Sequence, residues 1–379
     1  MASSKKKIFS TMPLIYSIVW IFVWFRVIKP LNIQSSLLFY AILTFFLLSI
    51  LLQFKRTIGL QKNISHGLWE KISYLSLNLA FWYFIFGLIL DLSLLLIFYF
   101  TNYTEKSELI QNLHYFVAFL PIFLSLYGYL NVLRGLKTIH LKLNLADHKL
   151  LEPLRILQIS DLHVGLFIQE KHIKKVQAQI QNLHPDMIVL TGDITDGTVD
   201  TFGKYLIPLL NTEPKHGIFF VPGNHEYYWG AQSWINFYKN HNVTCLINEG
   251  KCISLNFSDS IWIGGVTDLL AHKFIPNQVC DPEKTISDNM DHYKYKILLS
   301  HRPEKFDLAE KLGYDLMLSG HTHGGQFFPF THLISFFNSY GSGHHLYKKM
   351  NLFVSHGAGY WGFPCRIGTR CELTLVEIN

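Results

Sequence analysis

Thiol chemistry is nearly missing from this chain. Its 379 residues include five cysteines (Cys245, Cys252, Cys280, Cys365, Cys371), an odd number with no C-x-x-C pair. That usage excludes a disulfide framework and predicts reduced thiols on a cytosolic face. Charge is sparse as well, at 16% of residues, with a net +6 that sits largely beside apolar runs. There is no basic stripe with interleaved aromatics, so nucleic acid is not an expected partner. From Leu141 to Asn379 no repeat and no low-complexity tract interrupts the sequence, and that stretch is expected to form one domain.

What the first third does contain is hydrocarbon. Four runs are long enough to cross a bilayer core, which needs roughly twenty apolar residues: Ile8 to Phe25, Ile33 to Phe54, Leu77 to Phe98 and Leu113 to Leu133. The first is followed by another apolar run rather than by a polar mature chain, so it does not read as a cleaved leader. Lys5, Lys6 and Lys7 precede the first run, Lys55, Arg56, Lys62 and Lys71 follow the second, and Arg134, Lys137 and Lys142 follow the fourth. The opposite loops hold only Arg26, Lys29 and Lys106. This asymmetry predicts cytoplasmic termini, and a multi-pass protein of the plasma (inner) membrane with its polar domain in the cytoplasm. The expected division is a four-helix anchor over residues 1–140 and a globular domain over 141–379. Asp91, inside the third run, is costly in hydrocarbon and marks an intramembrane polar contact or an interfacial position.

Beyond the anchor, short apolar runs each stop at a cluster of Asp, Asn, Gly or His. Arg155 to Ser160 ends at Asp161, Met187 to Thr191 at Gly192-Asp193, and Ile218 to Pro222 at Gly223-Asn224-His225-Glu226. Ile297 to Ser300 ends at His301, and Leu316 to Ser319 at Gly320-His321-Thr322-His323. Near-continuous apolar runs of this length read as strands buried on both faces, and ligands collect at the carboxyl ends of such strands. Gln169 to Leu183 has helical spacing at Ile173, Val176, Ile180 and Leu183. An α/β sandwich follows. Ile261 to Val266, Leu352 to Ser355 and Glu372 to Glu377 are expected as further strands, placed in a second sheet.

The strand-end residues offer carboxylate, imidazole and amide oxygen without thiolate, a donor set suited to first-row divalent ions and to an open site that keeps water. Seven candidates, Asp161, His163, Asp193, Asn224, His301, His321 and His323, are too many for one tetrahedral ion. They fit two divalent metal ions (Mn, Fe or Zn) sharing a carboxylate, an arrangement that clamps a phosphoryl group and generates hydroxide at neutral pH. Isolated histidines such as His172, His184 and His292 are assigned no role.

Taken in order, Asp161-x-His163, Gly192-Asp193-x-x-Asp196, Gly223-Asn224-His225-Glu226, His301 and Gly320-His321-x-His323 resemble the five blocks of the calcineurin-like metallophosphoesterase family. The last block, Gly320 to Gln326, is similar to that of its bacterial membrane-associated branch. The resemblance implies a four-layer α/β-β/α sandwich, here preceded by four transmembrane helices, and metal-dependent hydrolysis of a phosphodiester, pyrophosphate or phosphomonoester. It further implies that Asp161, His163 and His323 hold one ion, that Asn224, His301 and His321 hold the other, and that Asp193 bridges them. His225 would face the substrate as the catalytic residue, Glu226 would orient it, and Asp196 would support the ligands from behind.

Tyr227, Tyr228 and Trp229, and Phe327, Phe328, Phe330, Phe336 and Phe337, flank the expected site. They read either as core or as an apolar rim against membrane lipids or an acyl chain. The leading expectation is therefore a membrane-anchored phosphoesterase acting on a lipid or lipid-linked phosphate. The alternative is a transporter or membrane interaction module regulated by its phosphoesterase-like domain. Oligomeric state is not legible.

Overall fold

The computed structural model describes residues 14–31, 47–48, 50–51, 67–100, 107–143 and 150–379. The chain divides into two compact units between Leu130 and Asn131.

Among the described residues, three helices are long and apolar enough to cross a membrane: α1 (Leu14–Leu31), α2 (Leu68–Phe100) and α3 (Ser107–Leu133). The expected span over residues 33–54 lies almost wholly outside the described residues. Uncharged sequence alone does not hold helices together in lipid, where packing and hydrogen bonds must do so. Trp20, Val23 and Val27 pack with Ala80, Leu90, Val117 and Ala118. Tyr16 Oη donates to Ser76 Oγ at 2.6 Å, and Asn78 Nδ2 donates to Ser125 Oγ at 2.7 Å. Asp91 is not solitary: Arg26 Nε lies 2.8 Å from its Oδ1, and a second guanidinium nitrogen joins the same carboxylate. The two opposite charges cancel, which lowers the cost of holding either one near hydrocarbon.

The second unit is built on two six-stranded sheets. The first has the order β1 (Lys137–Leu143), β12 (Glu372–Ile378), β2 (Leu154–Ile159), β3 (Met187–Thr191), β4 (Ile218–Val221), β5 (Val243–Cys245). The second has the order β10 (Gly343–Tyr347), β11 (Met350–Val354), β9 (Leu316–Ser319), β8 (Tyr295–Leu299), β7 (Ser260–Gly265), β6 (Glu249–Ser254). Strands β2 to β5 run parallel, as do β7, β8, β9 and β11. The last strand corrects one expectation. β12 joins the first sheet, parallel to β1 and antiparallel to β2, rather than the second.

The apolar runs read as buried on both faces because each sheet is covered on both. Ile156, Val189, Phe219 and Val376 of one sheet meet Ile263, Leu299, Leu318 and Phe353 of the other in a shared core. On the outer face of the first sheet lie α4 (Glu170–Leu183), α5 (Val199–Leu210) and α7 (Ala231–Asn240), through Ile173, Val176, Leu206 and Trp234. Outside the second sheet lies α8 (Phe306–Lys311), through Ala309 and Phe306. The stacking is helix, sheet, sheet, helix, the four-layer sandwich expected from the sequence. Parallel strands end together, so the loops after β2, β3, β4, β8 and β9 are brought to one edge.

Candidate metal centre

At that edge the donors converge. Asp161, His163 and His323 each offer one atom within 4.8 Å of the others, as do Asp193, His301 and His321, and as do His163, Asp196 and His225. His163 Nε2 lies 3.0 Å from His323 Nε2, and His323 Nε2 lies 3.6 Å from Asp161 Oδ1. In the other group His321 Nδ1 lies 3.2 Å from His301 Nε2, which lies 3.2 Å from Asp193 Oδ2. Ring nitrogens that face one another this closely, in pairs, suit lone pairs directed at a shared cation. Buried His163 Nδ1 has no hydrogen-bond partner. The residues present thus fit divalent ions with N and O ligands. Asn224 begins the short helix α6 (Asn224–Trp229), and its Oδ1 accepts from Arg302 Nη2 at 3.3 Å.

The backbone bends sharply to aim these groups. Asp161, His163, Asp193, His321 and His323 all have positive φ, between 51° and 72°. L-residues rarely adopt that region, Asp and His being among the less averse. Gly320 passes so close to Ser160 and the Asp161 carboxylate that no Cβ would fit, and Gly192, with φ of 82°, approaches Gly223 and the His301 ring in the same way.

Each carboxylate has a distinct environment. Asp161 accepts from Ser160 Oγ at 2.5 Å and from the His321 amide at 3.0 Å, while burial carries it up to about 6 against the pull of His301. Burial would raise Asp193 as well, yet the charges of His301 and His225 hold it well below the usual carboxylate range. The reciprocal effect is seen on the imidazoles. Burial works against the charged form of both, but Asp193 and its neighbours carry His301 to about 10 and His225 to about 9. Burial, then the field of His225, lowers His163 to about 4, and His321 and His323 are depressed further by burial and nearby cations. The charges of His301 and His225 thus offset those of the buried carboxylates around them.

The structure redistributes the supporting roles. Glu226, expected to orient His225, accepts four backbone amides: Asp193 at 2.9 Å, Ile194 at 2.8 Å, Thr195 at 3.2 Å and Gly223 at 2.8 Å. It fastens the loop after β3 to the loop after β4. Asp196 takes the imidazole, its Oδ1 lying 2.9 Å from His225 Nδ1 and accepting Trp229 Nε1 at 3.1 Å. His225 Nε2 is then 3.9 Å from Asp193 Oδ2, facing the centre.

Several contributors carry no motif. Ser160 fixes Asp161, Trp229 fixes Asp196, and the fully buried Arg366 reaches His323 Nδ1 at 3.1 Å and Gly359 O. Arg302, next to His301, holds Asp268 through Nε at 2.8 Å. The flanking aromatics divide: Tyr227 is core, whereas helix α9 (Phe330–Phe337) has no buried residue, with Phe336 81% and Phe337 75% exposed. For these two the core reading is excluded.

Against known proteins, the family model for calcineurin-like phosphoesterases matches residues 154–325. A protein of Aquifex aeolicus (strain VF5) described as an uncharacterized metallophosphoesterase is 32% identical over 228 residues, 60% of this chain and 85% of that one. One of the same description from Helicobacter pylori (strain ATCC 700392 / 26695) is 36% identical over 234 residues, 61% of each chain. A transmembrane protein with metallophosphoesterase domain from Danio rerio is 29% identical over 264 residues, 68% of this chain and 60% of that one. The match thus spans about three fifths of the length of the last two relatives.

Proposed function

The chain belongs to the calcineurin-like phosphoesterase family, and from that premise we propose that it is a membrane-anchored, dinuclear metal-dependent phosphoesterase. The observation that carries this reading is the convergence of two His/Asp groups at adjacent strand ends, each with its donor atoms within 4.8 Å. Asp161, His163 and His323 would hold one divalent ion, Asn224, His301 and His321 the other, and Asp193 both. When bound, such a pair would supply Lewis acidity toward a phosphoryl group and lower the pKa of a bound water.

The chain's own residues do the rest. Asp161 and Asp193 are held in place by Ser160 Oγ and by the amides of His321 and His225. Asp196 Oδ1, 2.9 Å from His225 Nδ1, places an anion beside the ring that favours its protonated form. With Nδ1 engaged by Asp196, its Nε2 is the donor directed to a phosphoryl oxygen or to the departing oxygen.

The substrate is a phosphodiester, pyrophosphate or phosphomonoester, in our reading on a lipid or lipid-linked molecule. Three membrane-length helices and the exposed aromatics Phe328, Phe336, Phe337 and Trp361 support that choice. The basic residues Lys71 and Arg134 at helix ends, with Lys137 opening β1 shortly beyond, and five free cysteines, support a plasma (inner) membrane protein with its catalytic unit in the cytoplasm. Against the transporter alternative, the charge of Asp91 within the apolar region is matched by Arg26.

The test is turnover by the purified full chain with Mn, using p-nitrophenyl phosphate, bis(p-nitrophenyl) phosphate and diphosphate-linked lipid, with Asp193→Ala as the blank. Hydrolysis of at least one by wild type alone is expected. A wild-type protein that takes up no divalent ion, or cleaves none of the three, overturns the proposal.

A further inference from the structure

We propose that Arg302 is the residue that grips the substrate's phosphoryl group, donating to a nonbridging oxygen on the Asn224 side of the centre. The inference rests on the phosphoesterase reading above and adds a residue outside its motif blocks.

Arg302 follows His301 in the loop leaving β8 and is kept from collapsing into solvent by an acid behind it. Its Nε donates to Asp268 Oδ2 at 2.8 Å, and the Asp268 side chain is fully buried. Asp268 is itself fixed, its Oδ1 accepting the Leu270 amide at 2.8 Å. The Nε end of the guanidinium is therefore anchored, and Nη2 beside it reaches Asn224 Oδ1 at 3.3 Å, which leaves Nη1 committed to neither. These contacts engage two of the five N–H donors such a group carries. The side chain keeps 18% of its surface exposed, so the remaining donors are reachable.

Chemistry restricts what those donors can meet. A guanidinium has no lone pair to give a metal, and Asn224 Oδ1 is a proposed metal donor. With cations in place, Arg302 is a positive group beside positive ions, and its long contact to Asn224 competes with them. An anion shared between the ions and the guanidinium removes the conflict, and a phosphoryl oxygen is such an anion. Arg suits the position where Lys would not. The planar fork binds Asp268 through Nε and can bind phosphate through its terminal nitrogens, whereas a single ammonium cannot span both. Tyr228, 38% exposed, lies in the field of Arg302, and its ring is 5.2 Å from that of His225.

The experiment compares the full chain with Arg302→Lys, Arg302→Gln and the double variant Arg302→Gln/Asp268→Asn, which leaves no unpartnered buried carboxylate. Three quantities are read: Mn uptake by calorimetry, the Kd of inorganic phosphate for the Mn-loaded protein, and KM against kcat for p-nitrophenyl phosphate. Loss of a charge-assisted bond to phosphate raises both the phosphate Kd and KM about ten- to hundredfold, with Mn uptake retained, in Arg302→Lys and in the double variant. Phosphate Kd and KM within twofold of wild type overturn the proposal and leave the phosphoesterase reading standing. Loss of Mn uptake in Arg302→Lys also overturns it, since Arg302 would then act on Asn224 instead of on substrate. A wild-type protein that binds Mn but cleaves no ester removes both readings together.

Discussion

Replacing Glu226 with Gln tests how the two halves of the site are joined. The Glu226 carboxylate is fully buried and each of its oxygens accepts two backbone amides, Gly223 and Asp193 on Oε2, Ile194 and Thr195 on Oε1. Burial, then the negative charge of Asp193, pushes its carboxyl up to about 7, but the amides pull the other way and offer no acceptor for a carboxyl proton. The ionised form is the one that satisfies all four donors. A carboxamide matches the shape and keeps one acceptor oxygen, while its NH2 must face two N–H groups. Two bonds to a charged acceptor are lost, at roughly 1.5–3 kcal/mol each, so Glu226→Gln should cost about 3–6 kcal/mol. For a unit of this size each kcal/mol lowers the midpoint by roughly 2–4 °C. Thermal unfolding of the chelator-treated full chain in detergent, followed by tryptophan fluorescence, should show a fall on the order of 10 °C or more. A change under about 2 °C would mean that Glu226 already carries a proton, for which Gln is a close substitute, and the ionised-acceptor reasoning would fail.

Asp193→Ala should reduce bound Mn from two ions to one or none and lower turnover about 10³-fold or more, read by metal analysis beside initial rates. Because His301 is carried up to about 10 and must be neutral to ligate, binding has to displace its proton. Mn affinity should therefore climb about tenfold per pH unit from pH 6 to 8 in calorimetric titrations, and a flat profile would refute that protonation state. Asp196→Asn removes the charge opposite His225 Nδ1; kcat should fall about 10²-fold with Mn content unchanged. In the same variant the alkaline limb of the kcat profile, set by His225 losing its proton, should move to lower pH, and a limb that stays in place would show that His225 is not the donor.

The strand ends were legible because the physics that buries a parallel strand on both faces also produces uninterrupted runs such as Met187 to Thr191, and each stops where ligands begin. Helix α4 was legible from Ile173, Val176 and Ile180, all buried against the first sheet. The sheet membership of Glu372–Ile378 was not. Its apolar pattern states that it is buried but not which strands flank it, and those are β1 and β2, over two hundred residues earlier in the chain. The same limit hid the supporting residues. Glu226 and Asp196 belong to recognisable blocks, yet which of them meets His225 depends on rotamers and loop geometry. Arg366 meets His323 across 43 residues and Arg302 meets Asp268 across 34, pairings for which local spacing holds no signal.

Five of the seven candidate ligands sit on left-handed backbone. An ordinary residue there costs about 1–2 kcal/mol, a tension that glycine does not feel. Reactivity and robustness are thus set against each other at the same positions. A chain stripped of its ligands in favour of glycine would lose its metals and yet unfold at higher temperature than its alanine counterpart. Asp193→Gly should outlast Asp193→Ala in chelator-treated melts by about 1 kcal/mol, which makes glycine the better choice for an inert but well-folded control.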